Sequence, residues 1–104
     1  MDEKWWIDSD NVVQITGLKD VVTGNYINDA TITATMADKN GNAVSGVGTI
    51  TFTYTSGSNG DYCGEVPAAA GLTDGEQYTL TITAVGGGFQ LVLKVTRRAA
   101  YKGP

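Results

Sequence analysis

Apolar and polar residues alternate with a period of two along several short stretches of the chain, and no stretch carries a 3.6-residue stripe. The clearest is Ala30, Ile32, Ala34 and Met36 interleaved with Thr31, Thr33 and Thr35, the pattern of a strand with one face in a core and one in water. Ile50, Phe52 and Tyr54 alternate with threonines in the same way, as do Tyr78, Leu80, Ile82 and Ala84, and then Phe89, Leu91, Leu93 and Val95. Residues 12–16 read as a first strand. Residues 62–66 read as another, whose inward side is left open between Tyr62, Gly64 and Val66 and the opposing Cys63 and Glu65. Pro67, lacking an amide proton, ends it. Between these runs stand turn signals: Thr23-Gly24-Asn25, Asp38-Lys39-Asn40-Gly41-Asn42, Ser56-Gly57-Ser58-Asn59-Gly60 and Gly86-Gly87-Gly88, with a helical turn at Ala68-Ala69-Ala70. About seven strands at this spacing predict an all-β chain of two antiparallel sheets.

One stretch narrows the expectation. Leu72, Gly75 and Tyr78 stand in a Leu-x-x-Gly-x-x-Tyr spacing at the entry to a period-2 run, which resembles a tyrosine corner. In such a corner Gly takes the bend, and the Tyr packs inward with its hydroxyl bonded to backbone a few residues upstream, here near Leu72 to Asp74. The motif belongs to immunoglobulin-like sandwiches. The expected organisation is therefore an immunoglobulin-like two-sheet antiparallel sandwich over residues 11–98, preceded by an N-terminal segment at 1–10 and followed by a C-terminal tail at 99–104.

Composition agrees with that size and class. A chain of 104 residues, 41% hydrophobic and 17% charged, buries one core without metal or disulfide support. Fourteen Gly and many Thr and Val favour short strands and tight turns. No apolar run is long enough to span a bilayer, so no membrane is expected as a partner. The acidic start, Asp2, Glu3, Asp8 and Asp10 around Trp5-Trp6-Ile7, does not read as a signal peptide. The expected compartment is thus the cytoplasm, and a single Cys63, which has no internal disulfide partner, fits it.

Chemistry finds little to work with. The chain has no His, which removes Ser-His and Cys-His nucleophiles and the common zinc sites and leaves Cys63 without an activating base. Asp38, Asn40 and Asn42 match the first positions of a calcium loop, but Ala43 stands where the loop needs Gly and Thr49 where it needs Glu. A hairpin turn is the better reading. Asp8, Asp10 and Asn11 read as a solvated segment. Asp61 with Glu65, or Asp74 with Glu76, are the carboxylate pairs open to convergence, yet each sits beside Gly or in a turn. Gly46-Val47-Gly48 and the Gly86 to Gly88 run lack the residues that complete a phosphate loop. No enzyme, cofactor or metal is expected. A net charge of −4 argues against nucleic acid as a partner.

Charge is distributed unevenly. Lys94, Arg97, Arg98 and Lys102 are four of the seven basic residues, opposite in sign to the acidic start. Trp5, Trp6 and Ile7 form an apolar cluster outside the first clear strand, and Trp concentrates where binding energy does. Trp5, Trp6, Ile7, Arg97 and Arg98 are therefore the candidate partner-binding residues, against the plainer reading that the two indoles cover the domain's own core.

The order Asn28-Asp29-Ala30-Thr31-Ile32-Thr33-Ala34-Thr35, hairpin, Gly60-Asp61-Tyr62-Cys63-Gly64-Glu65-Val66-Pro67 and the corner ending at Tyr78 resembles small phage- and prophage-encoded proteins with an immunoglobulin-like sandwich. The resemblance implies a non-enzymatic virion structural or assembly role, as a head decoration, neck or tail component. Its partners would be other virion proteins or the chain itself, as a homo-oligomer, and it would reside in the host cytoplasm during assembly and then in the virion. The alternative is an immunoglobulin-like module that binds a carbohydrate or cell-surface ligand through its loops, with Tyr26 and the Trp5-Trp6 pair as the candidate aromatics.

Overall fold

The computed structural model of the protein describes residues 3–86 and 88–102. It holds eight strands: β1 (Lys4–Ile7), β2 (Asn11–Ile15), β3 (Thr31–Asp38), β4 (Ile50–Thr51), β5 (Thr53–Tyr54), β6 (Tyr62–Val66), β7 (Gln77–Gly86) and β8 (Phe89–Tyr101), with a 3-10 turn at Ala68–Ala70. They form a five-stranded sheet in the order β1-β8-β7-β3-β4 and a three-stranded sheet in the order β2-β6-β5. Asp2 of the acidic start, Gly87 of the glycine turn, Gly103 and Pro104 of the tail, and the Phe89 side chain lie outside the described residues.

The core fills the space between the inward rows of the two sheets. From the large sheet come Ile32, Ala34 and Met36 on β3 and Tyr78, Leu80, Ile82 and Ala84 on β7; from the small one come Val13, Tyr62 and Val66, all in one cluster. On β6 the alternation resolves in favour of Tyr62, Gly64 and Val66, which are buried. Gly64 is required there because the Phe52 ring lies where a side chain would begin. The opposite face of the large sheet is mostly threonine: Thr33 pairs with Thr51 and Thr83, Thr35 with Thr81, and Thr79 with Thr96.

Three expectations are corrected. The run from Ile50 to Tyr54 is not one strand: β4 pairs with β3 and β5 with β6, and the chain changes sheet at Phe52. Phe52 donates its N–H to the Ile32 carbonyl and buries its ring, so the alternation is kept while the ladder is handed over. The sheets are not wholly antiparallel, because β1 runs parallel to β8, from Lys4 opposite Arg98 to Ile7 opposite Tyr101. That pairing draws residues assigned to an N-terminal segment and a C-terminal tail into the large sheet, so boundaries at 10 and 98 separate no independent core.

The corner is built around Tyr78. Its hydroxyl accepts the Thr73 N–H at 2.8 Å, Leu72 is buried, and Gly75 takes φ of 85°, a left-handed conformation that suits glycine at the third position of this turn. A second tyrosine does similar work. Tyr62 is almost fully buried, donates to the Ile27 carbonyl at 2.6 Å and accepts the Ala30 N–H at 3.1 Å, fixing the segment that feeds β3. Tyr78→Phe leaves the Thr73 N–H without its partner and is expected to cost about 1 kcal/mol in urea unfolding; a change within error would show that this bond adds nothing.

Trp5 has no exposed surface, and its indole N–H donates to the Tyr78 carbonyl at 3.0 Å across the core. Trp5→Ala is accordingly expected to cost about 3–5 kcal/mol, the range for emptying a large aromatic site. A variant that unfolds at the parent's urea midpoint would contradict a core role.

Candidate functional site

The most built-up surface lies where β1, β2 and β8 meet. Asn11 is the one polar residue buried among those described. Its side-chain carbonyl accepts the Trp6 N–H at 2.8 Å and its amide donates to the Trp6 carbonyl at 3.0 Å. One amide side chain thus satisfies the backbone groups that Trp6 turns away from β8, as another strand would at that residue. Beside it the Arg97 guanidinium stacks on the Trp5 ring, 4.6 Å from its centroid, and pairs with Glu3 at 2.6 Å.

The five partner-binding candidates therefore have different surroundings. Trp5 and Ile7 are core residues, and the expectation that they face a partner is corrected: a period of two points them inward beside Ala99. Trp6, the next residue, is half-buried and lines a groove of about 510 Å³ with Glu3, Lys4, Asp10, Val12 and Arg97. Arg97 is engaged by Trp5 and Glu3. Arg98 projects from the other face, where it donates to the Gly75 carbonyl.

A second hollow of about 530 Å³ continues from the first along the gap between β2 and β8. Val13, Ile15, Ile82, Leu93 and Val95 line it. It stays open because β8 lacks a neighbour there: β7 covers one side from Phe89 to Arg98, whereas β1 covers the other only from Arg98 onward. Among the described residues nothing pairs with the outer edge of β8 over 89–97. Leu93 on the inward face and Val92 on the outward face are both exposed there. Sequence reasoning missed this edge and Asn11, since neither an open ladder nor a side chain substituting for a strand leaves a local pattern.

Several of the acidic candidates have structural partners. Asp38 accepts the N–H groups of Asn40 and Asn42 at 2.9 and 3.0 Å, capping its own turn. Asp61 accepts the Gly17 N–H, and Glu76 pairs with Lys39 at 3.1 Å on the surface. Glu65 lies near Asp10, which in turn accepts the Ala68 N–H at 2.7 Å. Among the described residues no three Cys, Asp or Glu side chains are grouped to hold a metal, and no helix is long and apolar enough to cross a membrane. Cys63 is a free, half-buried thiol on β6.

No family model matches the chain, and no match to it is found among curated proteins or solved structures.

The carboxyl of Glu65 titrates above its ordinary 4.5, first because of the negative charge of Asp10, then through a hydrogen bond to it and a minor loss of hydration. The folded state therefore holds this proton more tightly than the unfolded chain does. The destabilisation is complete above the raised value and relieved as pH falls through it toward 4.5. Glu65→Gln is expected to raise the urea midpoint at neutral pH and to leave it nearly unchanged at pH below the ordinary carboxylate range; an equal shift at both would assign the effect to packing.

Proposed function

We propose that the protein is a non-enzymatic structural or assembly component of a phage or prophage particle, a head decoration, neck or tail protein, acting through protein-protein contacts. The observation that carries this reading is the edge of β8 over 89–97, which no described strand pairs and which exposed Val92 and Leu93 flank. Proteins that leave an edge unused blunt it with charges, Pro or a bulge. Between Gln90 and Thr96 this edge has only Lys94. Such an edge suits another polypeptide, whose backbone completes the ladder and whose side chains cover the apolar flank.

An immunoglobulin-like sandwich is part of the proposal. It is supported by the order β1-β8-β7-β3-β4 against β2-β6-β5, by the tyrosine at the start of β7, and by a first strand parallel to the last. The site of action would be the host cytoplasm during assembly and then the particle. The carbohydrate alternative has weaker support, because the Tyr26 ring has Lys19 stacked at 4.6 Å from its centroid and Trp5 is buried.

Mass spectrometry of purified particles is expected to find the chain at a fixed ratio to the capsid or tail proteins, and a glycan array is expected to give no saturable binding. Absence from the particles together with saturable binding of one glycan class would replace this reading with the carbohydrate one.

A further inference from the structure

The edge of β8 that no described strand pairs can be matched by a second copy of itself. Ala99 exchanges hydrogen bonds with Gly75 and Glu76, on the β7 side. Backbone groups alternate along a strand, so Arg97, Val95, Leu93 and Leu91 also turn toward β7, and those of Thr96, Lys94, Val92 and Gln90 face outward. These four residues are placed evenly about Leu93, and residues 89–97 as a whole are centred on it. An identical strand laid antiparallel about that point offers a backbone partner to every one of them.

We infer that a second copy of this chain pairs its residues 89–97 with this edge around a two-fold axis at Leu93, making one continuous sheet across the dimer. The inference rests on the protein-interaction reading above and names its partner. In this register Gln90 lies opposite the partner's Thr96, and Val92 opposite the partner's Lys94. No two like charges are directly opposed. On the inward face Leu91 meets the partner's Val95, and Leu93 meets the partner's Leu93. Those partner side chains extend over the hollow that Val13, Ile15, Ile82 and Leu93 leave open, so one occupant accounts for both the unused ladder and the uncovered apolar wall. The edge ends where β1 begins at Arg98, which limits the partner strand to this length, about 30 Å at the usual rise. The contact is isologous and closes on itself without building a fibre. Being edge pairing with a narrow apolar flank, it belongs with the smaller specific interfaces, and dissociation near micromolar concentration is expected.

Sedimentation of the full chain over a wide concentration range tests this. A monomer-dimer equilibrium is expected for the parent. Val92 is exposed on the outward face, so its substitution spares the core. Val92→Lys sets two lysines opposite the two Lys94 side chains and is expected to weaken the dimer about tenfold, whereas Val92→Glu creates two Glu-Lys pairs and is expected to tighten it about fivefold at low salt. Val92→Pro removes only an outward N–H and is expected to give a monomer with a folded circular dichroism spectrum. A parent that stays monomeric, a dimer indifferent to these changes, or weakening by Val92→Glu overturns the inference. Finding such a monomer in purified particles would leave the virion reading in place and remove only this one.

Discussion

The two-residue period of β7 is the constraint on which the remaining structure hangs. This strand is paired along its whole length with β8 and from Tyr78 to Val85 with β3, and its inward row of Tyr78, Leu80, Ile82 and Ala84 is almost completely buried. A slip of one residue would put that row in water and Thr79, Thr81 and Thr83 in the core, so the register on both sides is fixed by burial. The turn before β7 adds a local pin, since the hydroxyl of Tyr78 holds the Thr73 amide. With β7 set, the register of β8 places Arg97 opposite Tyr78 and Ala99 beyond it, which is where Trp5 finds room. The position of the chain's first strand thus follows from a strand more than seventy residues later.

Much of this was legible in the sequence, and the boundary of legibility is physical. β3 and β7 carry strict alternation, with β-branched residues on the wet face, and both form as strands where that pattern lies. β1 is four residues long and surrounded by acids, too short for periodicity to register. Its partner is nearly a hundred residues away in parallel orientation, and no local turn announces such a pairing. The sheet change at Phe52 is hidden for the opposite reason: alternation continues through it undisturbed, because Phe52 faces the same core from between two sheets. Gly64 was the available clue, a glycine inside a strand that makes space for another residue's ring.

Trp5 and Trp6 show why composition alone misplaces a site. Two adjacent indoles in an acidic segment read as one apolar cluster, but in an extended chain adjacent side chains take opposite faces. One becomes the largest fully buried side chain of the core and the other lines a surface groove. Arg97 and Arg98 divide in the same way, one stacked on Trp5 and the other on the far face against Gly75. The charge asymmetry between the ends of the chain is real in the sequence, yet part of it is used internally, in the pair of Glu3 with Arg97.

Two ways of treating a strand edge then stand side by side in one sheet. At β1, a buried asparagine satisfies the outward backbone groups of Trp6. Along β8 over 89–97 there is no such substitute among the described residues, and exposed Val92 and Leu93 flank the open ladder beside a single charge, Lys94. Backbone groups at an exposed edge can bond water, so the edge is not itself costly. What distinguishes it is that a partner strand would satisfy those groups equally well and release water from valine and leucine besides. The proposed association would draw on that difference, since the side-chain device that Asn11 provides at Trp6 has no counterpart among the described residues along β8 over 89–97.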